Sequence, residues 1–304
     1  MSTQEFIVKK RLTFCFTLVF KFYIYTRKDY TIFMTDLLTD AEFDMFRKVI
    51  YDKSGITFSA TNRSILDSRL KEKLREKGLN TIKEYYDMIM ADEAEMKIML
   101  DSVTTNLTRF FRNQPHFDAL IHYVIPHVIE MKKQRGESVI KLWSAGCSTG
   151  EEPYTIAMIL KEILPPGFKF QITASDISLK SLMVGQQGFY PESRIQGIPP
   201  NFLAKYFIKN EKGYQVVPEL MSTIKFDYHN LRNDSGMRNL DVVFCRNVLI
   251  YFDEAAQKNC IDRFWDAMAN KSYLFIGHSE SLFGMDTKFE FLKTDWACLY
   301  QKNV

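Results

Sequence analysis

The stretch WSAGCSTGEEPY, residues 143–154, decides how this chain folds. It ends an apolar run that is typical of a buried strand, VIKLWSAG (139–146), and its glycines allow a backbone to approach a ligand closely. Pro153 then suits the first turn of a helix. Because Glu151 and Glu152 would repel an anion at the start of that helix, the turn favours a ligand with a positive centre or an amino group over a phosphate.

The same pattern repeats after this stretch. Further strands are predicted in FQITASDI (170–177), LDVVFCRNVLIYF (240–252) and SYLFIGHSE (272–280), with helical sequence between them. Such alternation predicts an α/β domain with a mostly parallel, Rossmann-like sheet. The closing run FEFLKTDWACLY predicts a pair of hairpin strands, and residues 185–230 are predicted to form an inserted small antiparallel β-subdomain.

The chain before this domain is rich in helix signals. Phe43, Phe46 and Ile50 follow helical spacing, and Gly78 suits a helix C-cap. Residues 36–101 are therefore predicted to form a small all-helical domain, with the α/β domain over 102–304. Residues 1–35 look different, and we interpret them as an extension without a role in function. A weak membrane anchor is the alternative, because the apolar run at 12–20 is too short to span a bilayer.

Composition excludes few classes of function. The 304 residues include 40 basic and 37 acidic ones, a net charge of +3 that gives no indication of a nucleic-acid partner. The five cysteines contain no C-x-x-C pair, so neither a zinc site nor a disulfide framework is predicted. Reduced thiols favour a cytoplasmic protein, and no metal is expected.

Polar residues collect where the predicted strands end, which is where open parallel sheets bind ligands. Asp176 ends the second strand, 26 residues after Gly150, and an acidic residue at that place commonly binds the ribose hydroxyls of an adenosine group. Arg246, Asn247 and Tyr251 follow the third strand. The glycine spacing G-x-x-x-G differs from the G-x-G-x-x-G of dinucleotide enzymes.

These runs together resemble one known family, the CheR-type chemotaxis receptor glutamate methyltransferases. The resemblance covers residues 36–304 and is carried by five motifs in the family's order. The motifs are TNLTRFFRN (105–113), WSAGCSTGEEPYTIA (143–157), ASDIS (174–178), FCRNVLIYFD (244–253) and LFIGHSES (274–281).

The resemblance implies S-adenosylmethionine as the cofactor and S-adenosylhomocysteine as the product. It places Arg112 and Tyr251 near the transferred methyl group as catalytic residues. Glu151 would contact the positive methionine end, and Asp176 would contact the ribose. The implied cofactor-binding residues are Asn106, Thr108, Arg112, Glu151, Asp176, Asn230, Leu231, Arg246 and Asn247.

The resemblance also implies a substrate and a location. A methyl group would pass to glutamate side chains in the cytoplasmic helical region of chemoreceptors, and the cytoplasmic enzyme would be recruited to membrane receptor arrays. Arg63, Arg69 and Lys73 would dock acidic receptor helices, although the charge pattern alone fits a solvated helix face equally well. Some members grip a tethered receptor peptide with a longer hairpin. The short turn KNEKGYQ (209–215) predicts that this chain does not.

The sequence can be compared with what three rival functions would require. An NAD-dependent dehydrogenase would need the glycine fingerprint that is missing here. A nucleic-acid methyltransferase would need an N-P-P-Y-like run or a Pro-Cys pair, and the sequence has neither. The third is a non-catalytic signalling or scaffold protein that binds S-adenosylmethionine on the same fold, and the presence of Arg112 and Tyr251 argues against it.

Overall fold

The computed structural model describes residues 38–104 and 106–304. The predicted extension, residues 1–35, lies outside the described residues. The chain divides into two units after Asp44, and only 38–44 of the first unit are described. Among the described residues, no helix has the length and apolar character that crossing a bilayer requires.

Between residues 38 and 104, four α-helices are described, and local signals set their ends. Thr81 accepts a hydrogen bond from the backbone of Glu84, whose side chain accepts in return from the backbone of Thr81, which is a capping box. Gly78 ends the preceding helix in a left-handed conformation. The helices are α1 (Asp40–Ser54), α2 (Arg63–Lys77), α3 (Ile82–Ala91) and α4 (Glu93–Val103).

A seven-stranded sheet forms the centre of the following domain. Five strands run parallel, and the final hairpin adds an antiparallel pair, which confirms the predicted α/β class. The order across the sheet is β6-β2-β1-β7-β8-β10-β9. These strands are β1 (Val139–Ala145), β2 (Lys169–Asp176), β6 (Ile224–Tyr228), β7 (Leu240–Cys245), β8 (Met268–Ile276), β9 (Glu290–Lys293) and β10 (Cys298–Lys302).

Both faces of the sheet are buried, because side chains alternate between two separate cores. Along β7, Phe244 faces the first core and Val243 faces the second. Phe244 stacks on Phe275 of β8 with ring centres 4.2 Å apart. The helices of this domain are α5 (Gln114–Ala119), α6 (Ile125–Gln134), α7 (Glu151–Ile163), α8 (Leu179–Gln187), α9 (Pro200–Tyr206), α10 (Pro218–Met221) and α11 (Glu254–Ala267), and a π-helical turn, Leu120–Val124, joins α5 to α6.

The inserted β-subdomain is smaller than predicted. A three-stranded antiparallel sheet is formed by β3 (Phe189–Tyr190), β4 (Phe207–Asn210) and β5 (Gly213–Val216). The predicted range of 185–230 also took in the end of α8 and the whole of β6, which pairs in parallel with β2 in the large sheet. The sequence does not distinguish the short strands of this region from one another. Strand β6 is distinguished from the strands of the insertion only by its pairing with β2.

Strand β1 lies between β2 and β7. The chain adds β2 and β6 on one side of β1, and it then crosses to the other side to add β7 and β8. The loops that follow these three strands therefore meet at one edge of the sheet, around a crevice.

Candidate functional site

A cavity of about 290 Å³ opens at this edge of the sheet. It is lined by the loops that follow β1, β2 and β7 and by the segment between α4 and α5. Nearly all of the residues chosen from the sequence contribute to its wall. They are Asn106, Thr108, Arg112, Asp176, Asn230, Leu231, Arg246, Asn247 and Tyr251.

Glu151 is the exception. Its side chain is fully buried beneath the loop, where it accepts a hydrogen bond from Thr149 at 2.7 Å and lies 3.5 Å from the guanidinium of Arg194. The next residue, Glu152, lines the cavity instead. The structure thus places Glu151 off the cavity wall and its neighbour on it, because one helical step of about 100° separates the directions of the two side chains.

Glu152 joins two strand ends beneath the cavity. Its carboxylate accepts a hydrogen bond from the hydroxyl of Ser144 at 2.7 Å and lies 3.3 Å from the guanidinium of Arg246. Burial raises the pKa of Glu152, and the positive charge of Arg246 opposes that shift. The ion pair places the negative charge of Glu152 at the cavity wall, and the positive charge of Arg246 offsets the cost of burying it.

Asp176 occupies the end of β2, as the sequence predicts. Its two carboxylate oxygens accept backbone hydrogen bonds from Ser148 at 2.7 Å and from Ser178 at 2.8 Å. Burial raises the pKa of Asp176, and these two hydrogen bonds oppose the shift. Each oxygen keeps a further lone pair, which is the acceptor pair that two neighbouring hydroxyl groups need.

The loop after β1 comes close to the loop after β7. Gly146 has a φ of 76°, and a Cβ atom at this position would lie 2.4 Å from a methyl carbon of Val248. Only glycine permits this approach without strain. The missing side chain of Gly146 thus allows the two loops to lie close together at the cavity.

Left-handed backbone conformations cluster around the cavity. Among the described residues, six non-glycine residues have positive φ, and four of them lie in or beside its loops. Phe111 and Asn113 flank Arg112, with φ values of 53° and 63°, while Ser148 and Asn247 have values of 49° and 60°. Such strain persists where the surrounding structure requires it, as it commonly does at functional sites.

Arg112 is held by its own segment. Its guanidinium donates to the carbonyl oxygen of Leu107 at 2.8 Å, and its own carbonyl oxygen accepts from Arg246. The side chain thus remains at the cavity wall, next to Leu107, which is 77% exposed. A cation and an exposed apolar side chain stand together at the opening.

The helical part of the chain supplies a wall that the sequence did not predict. Ser54, Ile56, Val103 and Thr104 all line the cavity. Hydrogen bonds tie the neighbouring backbone to the loop after β6. Arg232 donates to the carbonyl oxygens of Tyr51 and Asp52, and Asn230 donates to that of Lys53.

The proposed docking residues lie apart from the cavity on α2. Arg69 pairs with Glu72 at 3.5 Å, and Lys73 pairs with Glu76 at 2.6 Å. Of the three, only Arg69 is classed as exposed, while Arg63 and Lys73 are half-buried. The pairs have the helical spacing expected of a solvated face.

The cavity fits S-adenosylmethionine in the kinds of group it presents. Asp176 offers two acceptors to a ribose, and Glu152 offers a carboxylate to a positively charged group. Asn247 lines the wall, and its buried side-chain oxygen has no hydrogen-bond partner within residues 38–104 and 106–304. With a parallel sheet that ends in an antiparallel hairpin, these features define an S-adenosylmethionine-dependent methyltransferase.

Comparison with known proteins identifies the family. The model for the S-adenosylmethionine-binding domain of CheR methyltransferases matches residues 106–298, and the model for the all-alpha domain of CheR methyltransferases matches 41–104. The chain therefore belongs to the CheR methyltransferase family, and S-adenosylmethionine is its cofactor.

Individual relatives agree over most of their length. A chemotaxis protein methyltransferase from Borreliella burgdorferi is 37% identical over 256 residues, which cover 81% of this chain and 90% of the relative. The chemotaxis protein methyltransferase of Escherichia coli K12 is 33% identical, over 83% of this chain and 88% of the relative. A third, chemotaxis protein methyltransferase 2 from Vibrio cholerae, is 32% identical over 81% of this chain and 87% of the relative.

Proposed function

We propose that this chain methylates glutamate side chains in the cytoplasmic helical region of chemoreceptors, forming glutamate methyl esters. The observation that carries the proposal is that Arg112 and Tyr251, on separate segments, line one cavity together with Asp176. The relatives that share the fold are named chemotaxis protein methyltransferases, which favours a receptor of that signalling system as the substrate.

The proposed cofactor contacts follow from the groups at the wall. Asp176 binds the ribose hydroxyls, and Glu152, rather than Glu151, faces the positive end of the cofactor. When it is bound, S-adenosylmethionine supplies a methyl group attached to a positively charged sulfur. The remaining contacts are assigned to Asn106, Thr108, Arg112, Asn230, Leu231, Arg246 and Asn247.

The chemistry needs little from the protein beyond alignment. A free glutamate has a pKa of about 4.3, so the attacking carboxylate is already ionised at neutral pH and no general base is required. With the cofactor bound, the carboxylate oxygen would bond to the methyl carbon as the carbon–sulfur bond broke, and the electron pair of that bond would remain on sulfur. Two opposite charges disappear in this step, so a site that excludes water favours it.

Arg112 and Tyr251 are assigned to orient the carboxylate. The guanidinium already donates one hydrogen bond to Leu107, which leaves its other N–H groups for the substrate. A tight bidentate grip would stabilise the carboxylate before reaction as strongly as during it, and would not accelerate transfer. One contact from Arg112 and one from the Tyr251 hydroxyl satisfy alignment without that cost.

Helix α2 is proposed as the receptor-docking surface. It carries six basic and three acidic residues, so an excess of positive charge remains after internal pairing. Exposed ion pairs such as Arg69–Glu72 are worth only about 0–1 kcal/mol. Acidic receptor helices can therefore replace these internal partners, and docking there would recruit the enzyme to receptor arrays.

The test is methyl transfer from isotopically labelled S-adenosylmethionine to membranes that contain chemoreceptors. Label that appears on the receptor and is released as methanol in mild base identifies a carboxylate ester. Base-stable label would indicate methylation of nitrogen and overturn the glutamate assignment. An Arg112→Ala variant that still binds S-adenosylhomocysteine should transfer much less label than the wild type. If the protein were a non-catalytic scaffold, neither the wild type nor the variant would transfer label.

A further inference from the structure

The carboxylate of Glu280, in the turn after β8, accepts three backbone hydrogen bonds. One oxygen accepts from Asn247 at 2.9 Å and from Gly277 at 2.5 Å, and the other accepts from Ile250 at 3.2 Å. Two of these donors belong to the loop that follows β7. A single side chain therefore ties that loop to the end of the next strand.

Gly277 makes this arrangement possible. A Cβ atom there would lie 2.5 Å from the Glu280 carboxylate and 2.8 Å from the backbone nitrogen of Asn247. Asn247 itself has a φ of 60°, a conformation that costs free energy for a residue with a side chain. The hydrogen bond from its N–H to Glu280 helps to hold this conformation.

The loop held by Glu280 carries residues assigned to both cofactor and substrate. Asn247, Ile250 and Tyr251 line the cavity, whereas Glu280 does not. The other side of the loop is fixed by the backbone N–H of Thr57, which donates to the carbonyl oxygen of Tyr251 at 2.9 Å. The loop is thus clamped from two directions.

We propose that Glu280 is a positioning residue for methyl transfer: by clamping residues 247–250 it places Asn247 against the cofactor and the Tyr251 hydroxyl toward the substrate. The part that concerns Tyr251 rests on the proposed function. The part that concerns Asn247 depends only on cofactor binding.

The three donors explain why a carboxylate stands at this position. An ionised carboxylate only accepts hydrogen bonds, and it offers two oxygens. In a Glu280→Gln variant one oxygen can still accept from Asn247 and Gly277, but the amide nitrogen would face the N–H of Ile250. Two donors would then oppose each other, on the side of the loop nearest Tyr251.

The experiment compares Glu280→Gln and Glu280→Ala with Glu290→Gln, a control that removes an exposed carboxylate whose contact is Asn303. Calorimetry measures the affinity for S-adenosylhomocysteine and so tests the placement of Asn247. Methylation kinetics with receptor membranes measure kcat and the receptor KM and so test the placement of Tyr251. We expect Glu280→Gln to lower kcat about 10-fold, with S-adenosylhomocysteine binding weakened about 3-fold and receptor KM little changed. Glu280→Ala should lose more in both, and Glu290→Gln should match the wild type.

A double variant separates positioning from general stability. If Glu280 acts through Tyr251, Glu280→Gln combined with Tyr251→Phe should lose less than the product of the two single losses. Gly277→Ala disturbs the same hydrogen bonds while keeping the Glu280 side chain, and it should cause the same loss. It therefore provides a second test if the Glu280 variants fold poorly. Wild-type affinity and kcat in the Glu280 variants, or single losses that multiply, would overturn the proposal. A wild-type enzyme that methylates no receptor would overturn only the glutamate assignment, since calorimetry still tests the clamp on Asn247.

Discussion

The backbone N–H of Ser148 donates a hydrogen bond of 2.7 Å to the carboxylate of Asp176. This contact fixes the loop after β1 to the end of β2, with Ser148 in a left-handed conformation at a φ of 49°. The carboxylate thus has two tasks, because it holds the loop and presents its remaining lone pairs to the cavity. A substitution at Asp176 should show both.

Replacing Asp176 with Ala should weaken the binding of S-adenosylhomocysteine by about 1–3 kcal/mol, the cost of losing buried charge-assisted hydrogen bonds. Isothermal calorimetry measures it directly. Asp227→Ala serves as the control, because it removes an exposed carboxylate one strand away. Equal affinity for the wild type and a folded Asp176 variant would remove Asp176 from the cofactor site.

His116 should make stability depend on pH. Burial, followed by the charges of Arg246 and His278, lowers its pKa to about 4. The unfolded chain binds a proton near pH 6.5 and the folded chain does not, so stability should be full above that pH and fall as the pH drops toward 4, by about 3 kcal/mol.

Urea unfolding of a His116→Gln variant at several pH values between 4 and 7 measures this effect, with the exposed His127→Gln as the matched control. The wild type and the control should share the same slope. The His116 variant should have a smaller slope, and the remainder includes His229, whose pKa is also lowered by burial. A variant with an unchanged slope would assign the pH dependence to another group.

Reversing Arg69 and Lys73 to Glu should raise the receptor KM and leave S-adenosylhomocysteine affinity unchanged, because surface charges act on encounter and docking. Added salt should lower wild-type activity as well, since screening shortens to about 8 Å at physiological ionic strength. Reversing Lys83 and Lys97, on α3 and α4, controls for total charge. If the variant with Arg69 and Lys73 reversed showed normal receptor kinetics at low salt, α2 would not be a docking surface but an ordinary solvated helix face.

Receptor truncation should have little effect on the rate. The β4–β5 hairpin turns at Glu211 and Lys212, between the paired residues Asn210 and Gly213, so β4 offers a short edge for an added strand. Without a tether, the enzyme forgoes an avidity gain on the order of 10²–10⁴. Methylation of a receptor with and without its last residues tests this, and a large loss on truncation would show that tethering operates.

The α/β class could be predicted from the sequence, because strands and helices alternate along it. Asp176 and Arg246 could be predicted from local signals as well, because Asp176 ends one apolar strand and Arg246 directly follows another. Other cavity residues, such as Asn106 and Asn230, were implied only by the family resemblance. The choice between Glu151 and Glu152 was not predictable, since the rotation of a helix about its axis depends on packing beneath it. Thr149 and Arg194 occupy that space and accommodate Glu151.

Other parts of the site depend on contacts between distant segments. Ile56 reaches the cavity through an antiparallel bridge with Phe252, almost 200 positions later in the chain. Nothing near Ile56 in the sequence indicates this partner. The left-handed conformations of Phe111 and Asn113 are equally hidden, because neither residue type ordinarily demands them and the surrounding fold imposes them.

The hydrogen bonds from Arg232 and Asn230 to the carbonyl oxygens of residues 51–53 bear on how the family can diversify. A hybrid that exchanged the helical segment with that of a relative would inherit a new helix end but the old loop after β6. Because the acceptors are main-chain carbonyl groups, which every residue carries, such a hybrid would keep these hydrogen bonds wherever the new helix ends at the same place. The contact therefore constrains the position of the helix end and leaves the side chains of residues 51–53 free to vary.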